Sequence, residues 1–373
     1  MSHLAITAIV LSQAINGLVF PPPIGPYHTS LTTHQLIDAT RIDALSPTNQ
    51  TRRLMISLFH PVAAGSCTPT AVPYMDRASA AYQDDQFSVY GLPPGTFPSL
   101  ELHGCAPARR PRVAHPKPPA FPVVVFSPGL GTSRLLYSAL AQHVASAGYT
   151  VVTVDHPYDV DIVVFPDGSS VTAVDLPDAL IPRAVEARVA DISFVLDQLA
   201  GAGVARAVAP GLEVSKVGVF GHSLGGAAAA EAMRGDPRLV GGVDLDGTFF
   251  GPVVEEGLGF PFLIFGHEGK DTTADPSWAA IWPRLTGFKR VLMLRGARHY
   301  AFSDLANVVD VLGIRGLLPE VVGGLLGNIE GKRVSEVVLE YVVGFFDMVL
   351  KDGRGQMFDG ASVSFPEVSF ESP

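Results

Sequence analysis

Charge, cysteine and tryptophan are all scarce in this chain. Only 17% of its 373 residues are Asp, Glu, Lys or Arg, and they leave a formal net charge of −10. The one basic cluster is the short run Arg109-Arg110-Pro111-Arg112, so no nucleic-acid-binding face is expected. The acidic balance also gives no attraction to anionic membranes, and contact with neutral or zwitterionic lipid would have to come from apolar patches. Cys67 and Cys105 are the only cysteines and have no His/Cys cluster around them, which excludes a zinc site. In an oxidising compartment they are expected to pair, the alternative being two buried thiols. No internal repeat and no low-complexity tract interrupts the chain.

A hydrophobic content of 47% is enough for a large core. Residues 1–20 read as a signal peptide: a mostly apolar run from Leu4 to Phe20, with cleavage near Ala14 or Gly17 but no basic residue before it. Secretion is the expectation. The triplet Asn49-Gln50-Thr51 is a glycosylation acceptor that agrees with it. Residues 21–373 read as a single catalytic domain. Its first part, 21–120, reads as an irregular extension containing one strand, Arg53 to Phe59, with residues 61–120 as a long loop with short helices.

Beyond residue 120, strands and helices alternate. Apolar strands are expected at Phe121–Phe126, Thr150–Val154, Val217–Phe220, Val240–Leu245, Phe262–Phe265 and Val291–Leu294. Between them, Ser133–Ala147 and Ala184–Leu199 carry apolar residues at helical spacing. Residues 160–172 read as a hairpin around Pro166-Asp167-Gly168. After Leu305 the chain reads as mostly helical, ending in a helix over Val334–Val349. Continuous apolar strands alternating with helices predict a mostly parallel central sheet covered by helices on both faces.

The densest chemical signal is Gly221-His222-Ser223-Leu224-Gly225-Gly226, directly after Val217–Phe220. A strand, a Gly-x-Ser-x-Gly turn and a small-residue helix form the context of a nucleophile elbow. Serine alone is a poor nucleophile, so a base and oxyanion donors must come from elsewhere. In such a sheet, ligands sit past the carboxyl ends of the strands. Past Phe126 comes Ser127-Pro128-Gly129-Leu130-Gly131, which makes the backbone N–H of Leu130 one oxyanion donor and that of Leu224 the other. Past Leu294 comes His299, in the chain order Ser, acid, His. Asp246 and Asp271 both lie between Ser223 and His299 and both follow strands. Asp246 ends an apolar strand, where a charge needs a reason. Asp244 is set to support it or to be paired structurally.

Four segments together resemble the plasma-type platelet-activating-factor acetylhydrolases, and their fungal secreted relatives most. They are Phe126-Ser127-Pro128-Gly129-Leu130-Gly131-Thr132-Ser133-Arg134 with Tyr137-Ser138, the Ser223 elbow, Leu245-Asp246-Gly247, and Arg295-Gly296-Ala297-Arg298-His299 with Phe302-Ser303-Asp304. The resemblance runs from about residue 50 to about residue 305 and implies an α/β-hydrolase that cleaves short sn-2 acyl esters of phospholipids without calcium; a serine esterase of this kind is expected to need no metal or cofactor. It implies Ser223 as nucleophile, Asp246 as acid, His299 as base, and Leu130 and Leu224 as oxyanion hole. The family usually has histidine where this chain has Pro128. Proline has no N–H and fixes its own φ, which bears on substrate preference. His156 is a candidate for the pocket wall or a structural role. Trp278 and Trp282 are candidates for the core or the pocket rim. The apolar stretch Val308–Ile329 is expected to pack on the sheet, with a lid or lipid-facing surface as the alternative. The rival functions are a cutinase-like esterase acting on polyesters and a catalytically silent binding module.

Overall fold

The computed structural model describes residues 18–62, 67–107, 120–201 and 212–371. The centre is a nine-stranded sheet in the order β14-β13-β12-β11-β10-β6-β7-β3-β2. Its middle six strands run parallel: β6 (Val123–Ser127), β7 (Thr150–Asp155), β10 (Val217–His222), β11 (Leu239–Leu245), β12 (Phe262–His267) and β13 (Lys289–Leu294). The edges are antiparallel. β2 (His28–Ile42) and β3 (Thr51–Val62) flank one side, and β14 (Val368–Glu371) closes the other.

The strict two-residue alternation of a strand divides the core into two layers. Val124 and Phe126 of β6 join one apolar cluster, while Val123 and Val125 join the other. The first cluster is covered by α2 (Ser138–Ser146) and by the long α5 (Gly331–Leu350). The second is covered by α3 (Ile181–Ala200) and α4 (Leu224–Gly235). This is an α/β-hydrolase arrangement, as the sequence pattern predicted. β8 (Ile162–Val164) and β9 (Ser170–Thr172) form the expected hairpin.

The amino-terminal part differs from the expectation. Residues 21–120 are not an irregular extension, because β2 and β3 pair along most of their length. Within the predicted loop lie β4 (Cys67–Pro73), the helix α1 (Arg77–Ser88) and β5 (Leu100–Pro107). β4 and β5 are antiparallel, and Cys67 and Cys105 are joined by a disulfide across them. Residues 18–20, placed at the end of the leader by the sequence, belong to the fold. Leu18–Val19 form β1, which pairs with Leu100 and Glu101 of β5, and Phe20 is buried. The rest of the leader expectation, residues 1–17, lies outside the described residues. No helix among the described residues is long and apolar enough to cross a membrane.

The stretch Val308–Ile329 packs on the core as expected: Val308, Val309, Leu312, Ile314, Val322 and Leu326 are all buried. A buried histidine, His143 in α2, carries a testable pH effect. Its Nδ1 has no partner among the described residues, and burial, then the His103 charge, push its pKa from 6.5 down to about 4. The folded state therefore binds fewer protons than the unfolded one in this window. Its stabilising contribution is complete above the ordinary value of 6.5 and is lost as pH falls towards 4. Thermal unfolding followed between these pH values should fall less steeply for His143→Phe than for wild type. Parallel curves would remove His143 from the account.

Candidate active site

Ser223 stands between β10 and α4 with φ 55° and ψ −124°, a conformation that costs strain in a non-glycine residue. The turn closes because its neighbours lack side chains. A Cβ on Gly221 would lie 2.2 Å from the backbone of Gly225, and one on Gly225 would lie 2.0 Å from the Ser127 carbonyl oxygen. The Ser223 N–H donates to the Leu245 carbonyl at 2.8 Å, tying the elbow to the end of β11. The serine is half-buried, and its hydroxyl has no hydrogen-bond partner among the described residues. Contacts between nucleophile and base often tighten only when substrate is bound.

Asp246 follows β11 with a positive φ of 63° and is fully buried. Its Oδ2 accepts a hydrogen bond from His299 Nδ1. Asp271 makes no such bond and instead caps a turn by accepting from the amides of Thr273 (2.7 Å) and Ala274 (2.8 Å). With its Nδ1–H given to Asp246, the His299 imidazole keeps Nε2 as its proton acceptor. Burial opposes the charge on Asp246. Hydrogen bonds from His267 and His299 and the Lys270 ammonium outweigh it and hold the carboxyl well below its ordinary value. Asp244 does not support Asp246 directly. Its Oδ1 accepts from the Gly247 amide at 2.9 Å, its Oδ2 is unpartnered, and burial drives its pKa well up.

The roles of four side chains escaped the sequence reading. His267, at the end of β12, donates to Asp246 through its backbone N–H at 2.9 Å and through Nδ1, which lies 2.7 and 2.8 Å from the two carboxylate oxygens. Its signal was its place at a strand end, hidden because the strand was expected to stop at Phe265. His222, inside the elbow motif, donates from Nε2 to the His299 carbonyl at 2.9 Å, and its Nδ1 accepts from Tyr137 Oη at 2.8 Å. Burial, then the His299 charge, push the His222 pKa well down, so this bridge is neutral. Tyr137 Oη in turn accepts from the Gly129 amide at 3.3 Å, which connects the oxyanion loop to the loop of the base. Asp304 fastens that second loop to the start of α2. It accepts from the Ala139 and Leu140 amides at 2.8 and 3.1 Å and from Tyr74 Oη at 2.9 Å.

The oxyanion loop presents one free amide. Gly129 N–H goes to Tyr137, and Gly131 N–H donates to the Asp159 carbonyl at 2.9 Å. Leu130 N–H has no partner among the described residues, and Leu224 N–H heads α4, where helix amides have no carbonyl to meet. His222, Asp246 and His299 bring ligand-type atoms within 4.8 Å of one another. Both nitrogens of His222 and Nδ1 of His299 are already hydrogen-bonded, so a cation there would have to break those bonds.

The pocket candidates are corrected. His156 is fully buried and takes the structural role: its Nε2 meets Ser127 Oγ and its Nδ1 meets Asp191 Oδ2, both at 2.9 Å. Trp278 is core, and its Nε1–H donates to the Gly247 carbonyl at 2.6 Å, just behind Asp246. Trp282 packs on the same core with Lys289 over its ring.

A profile of the family described as platelet-activating factor acetylhydrolase, isoform II, matches residues 103–163. The chain is 31% identical over 98% of its length, and 97% of the relative's, to a probable 1-alkyl-2-acetylglycerophosphocholine esterase of Arthroderma benhamiae. The chain belongs to this family. It is therefore a carboxylic ester hydrolase, and the silent binding module falls away. A platelet-activating factor acetylhydrolase of Cavia porcellus is 23% identical over 60% of the chain and 55% of its own length. Among solved structures, a ferulic acid esterase from Streptomyces cinnamoneus superposes with a TM-score of 0.81 and 33% identity. It covers 95% of this chain and 100% of its own.

Proposed function

We propose that this esterase is a secreted serine hydrolase that cleaves short or medium acyl esters of phospholipid-like substrates through an acyl-enzyme. The observation that carries the reading is the buried Asp246 bonded to His299 Nδ1, together with Ser223 held at positive φ in the elbow, its hydroxyl unpartnered among the described residues. His299 Nε2 takes the Ser223 proton as Oγ attacks the ester carbonyl carbon. The negative oxygen of the tetrahedral intermediate is met by the amides of Leu130 and Leu224. The intermediate collapses, the carbon–oxygen bond to the alcohol breaks, and His299 returns the proton to that alcohol. Water then repeats the sequence against the acyl-serine and frees the acid. Export is supported by the Cys67–Cys105 disulfide and by Asn49, which is exposed in the turn between β2 and β3. At the mouth of the cavity beside the site, Val89 is 80% exposed and Tyr90 41%, and both would meet a lipid surface.

A second substrate reading rests on that cavity, of about 240 Å³. Its walls include Gln83, Phe87, Tyr90, Thr132, Asp161 and Tyr300, and no Lys or Arg among the described residues. A phosphate would find no counter-charge there, whereas a neutral aromatic group would meet three rings. The ferulic acid esterase among the similar structures points the same way. One assay ranks the candidates: kcat/KM for a 1-alkyl-2-acetyl glycerophosphocholine, a hydroxycinnamate methyl ester and a polyester film. The phospholipid should lead by at least about tenfold, since about 1.4 kcal/mol of selectivity corresponds to that factor. A leading hydroxycinnamate would move the enzyme to the second reading, and a leading polyester would make it cutinase-like.

A further inference from the structure

Arg188, in α3, is completely buried beside the oxyanion loop. Its guanidinium makes five bonds. Nε and Nη2 donate to Asp159 Oδ2 and Oδ1 at 2.6 and 2.5 Å. Nη1 donates to the Pro128 carbonyl and to Ser127 Oγ, the latter at 3.3 Å. Nη2 also donates to the Gly129 carbonyl at 3.2 Å. A guanidinium has five N–H donors in one plane, and every contact here uses that fork. Asp159, which orients it, accepts the Gly131 amide on its own carbonyl at 2.9 Å. Thr132 Oγ1 adds a second donor to the Gly129 carbonyl at 2.9 Å.

The consequence lies in the peptide plane. In a trans peptide the carbonyl and the following N–H point in opposite directions. Holding the Gly129 carbonyl on Arg188 and Thr132 therefore turns the Leu130 N–H away from α3. The Leu130 side chain packs in the same apolar cluster as Leu224, whose amide is the other donor. A Cβ on Gly129 would lie 3.3 Å from His222 Nδ1, so the loop lies directly against the elbow. The loop has no proline N–H at position 128 to anchor it, and carbonyls are all it offers on that side.

We propose that Arg188 is the positioning residue of the oxyanion hole: its fork on the Pro128 and Gly129 carbonyls fixes the plane that aims the Leu130 N–H at the developing oxyanion. This rests on the serine-esterase reading above. Arg188 touches no reacting atom, and its effect is confined to the transition state, when the oxyanion exists.

The test is Arg188→Lys, which keeps a charge for Asp159 but lacks the fork. Losing one aligned oxyanion donor should lower kcat by about 100-fold with KM within about twofold of wild type. Binding of a trifluoromethyl ketone, which forms a tetrahedral oxyanion on Ser223, should weaken by about the same factor. Binding of the unreactive ether isostere of the substrate should not change. A folded Lys variant with wild-type kcat overturns the proposal, as does an equal loss for ketone and ether. If the Lys variant lacks cooperative unfolding, the paired change Arg188→Met with Asp159→Asn removes both charges together and is judged by the same two ligands. Fluorophosphonate labelling separates the failures. An unlabelled wild-type Ser223 defeats the serine-esterase reading, whereas normal labelling at the wild-type rate in the Lys variant defeats only the role of Arg188.

Discussion

Ser223→Ala is expected to lower kcat on the order of 10⁶-fold, because a triad stripped of its nucleophile retains only binding and oxyanion stabilisation. Folding should be untouched. The Ser223 hydroxyl has no partner among the described residues, so alanine leaves no buried group unsatisfied. The positive φ of 55° remains, and alanine bears it no worse than serine. The measurement combines ester turnover, fluorophosphonate labelling and thermal unfolding on one preparation. Residual turnover above a few per cent, with labelling preserved, would place the nucleophile elsewhere.

The second large effect is at Asp246. Asp246→Asn should cost about 10⁴-fold in kcat while leaving the backbone in place, by analogy with an acid that sets a histidine tautomer. The reason is specific to this site. Oδ1 accepts from the His267 amide, Oδ2 accepts from His299 Nδ1, and His267 Nδ1 is shared between the two oxygens at 2.7 and 2.8 Å. An asparagine that keeps its oxygen towards His267 turns its NH₂ to His299. Nδ1 must then accept, the proton moves to Nε2, and the base is lost. Asp271→Asn is the control, because its carboxylate serves only the amides of Thr273 and Ala274. Full activity in Asp246→Asn, or its loss in Asp271→Asn, would reverse the assignment. The charge on Asp246 persists far below neutrality, since its hydrogen bonds and Lys270 overcome its burial. An acid limb in the activity profile must therefore come from another group.

The parallel strands were legible because they are mostly buried on both faces and carry short apolar runs, as in Val123–Ser127, whose five residues are all buried. The amino-terminal strands were not. β2 is an edge strand of alternating exposure, rich in Thr and His, and reads as loop. β4 and β5 contain Pro69, Pro73 and Pro107, which strands tolerate only at edges and ends. β14 is four residues long and pairs with β13 across more than 70 positions of sequence, leaving no local signature. Trp278 was undecided between core and rim because helical spacing identifies a buried face without saying what lies behind it.

Local order along the chain was enough to propose Ser223, His299 and two loop amides as site groups, since an elbow and a loop after a strand are short-range motifs whose chemistry depends on a few neighbours. Which carboxylate meets the imidazole, that His267 shares it, that His222 and Tyr137 join two loops, and that Arg188 grips the turn were decided only by folding. Those contacts join residues 21 to 85 positions apart, and the energies that select among them, burial against hydrogen bonding and charge, do not exist until the strands have assembled.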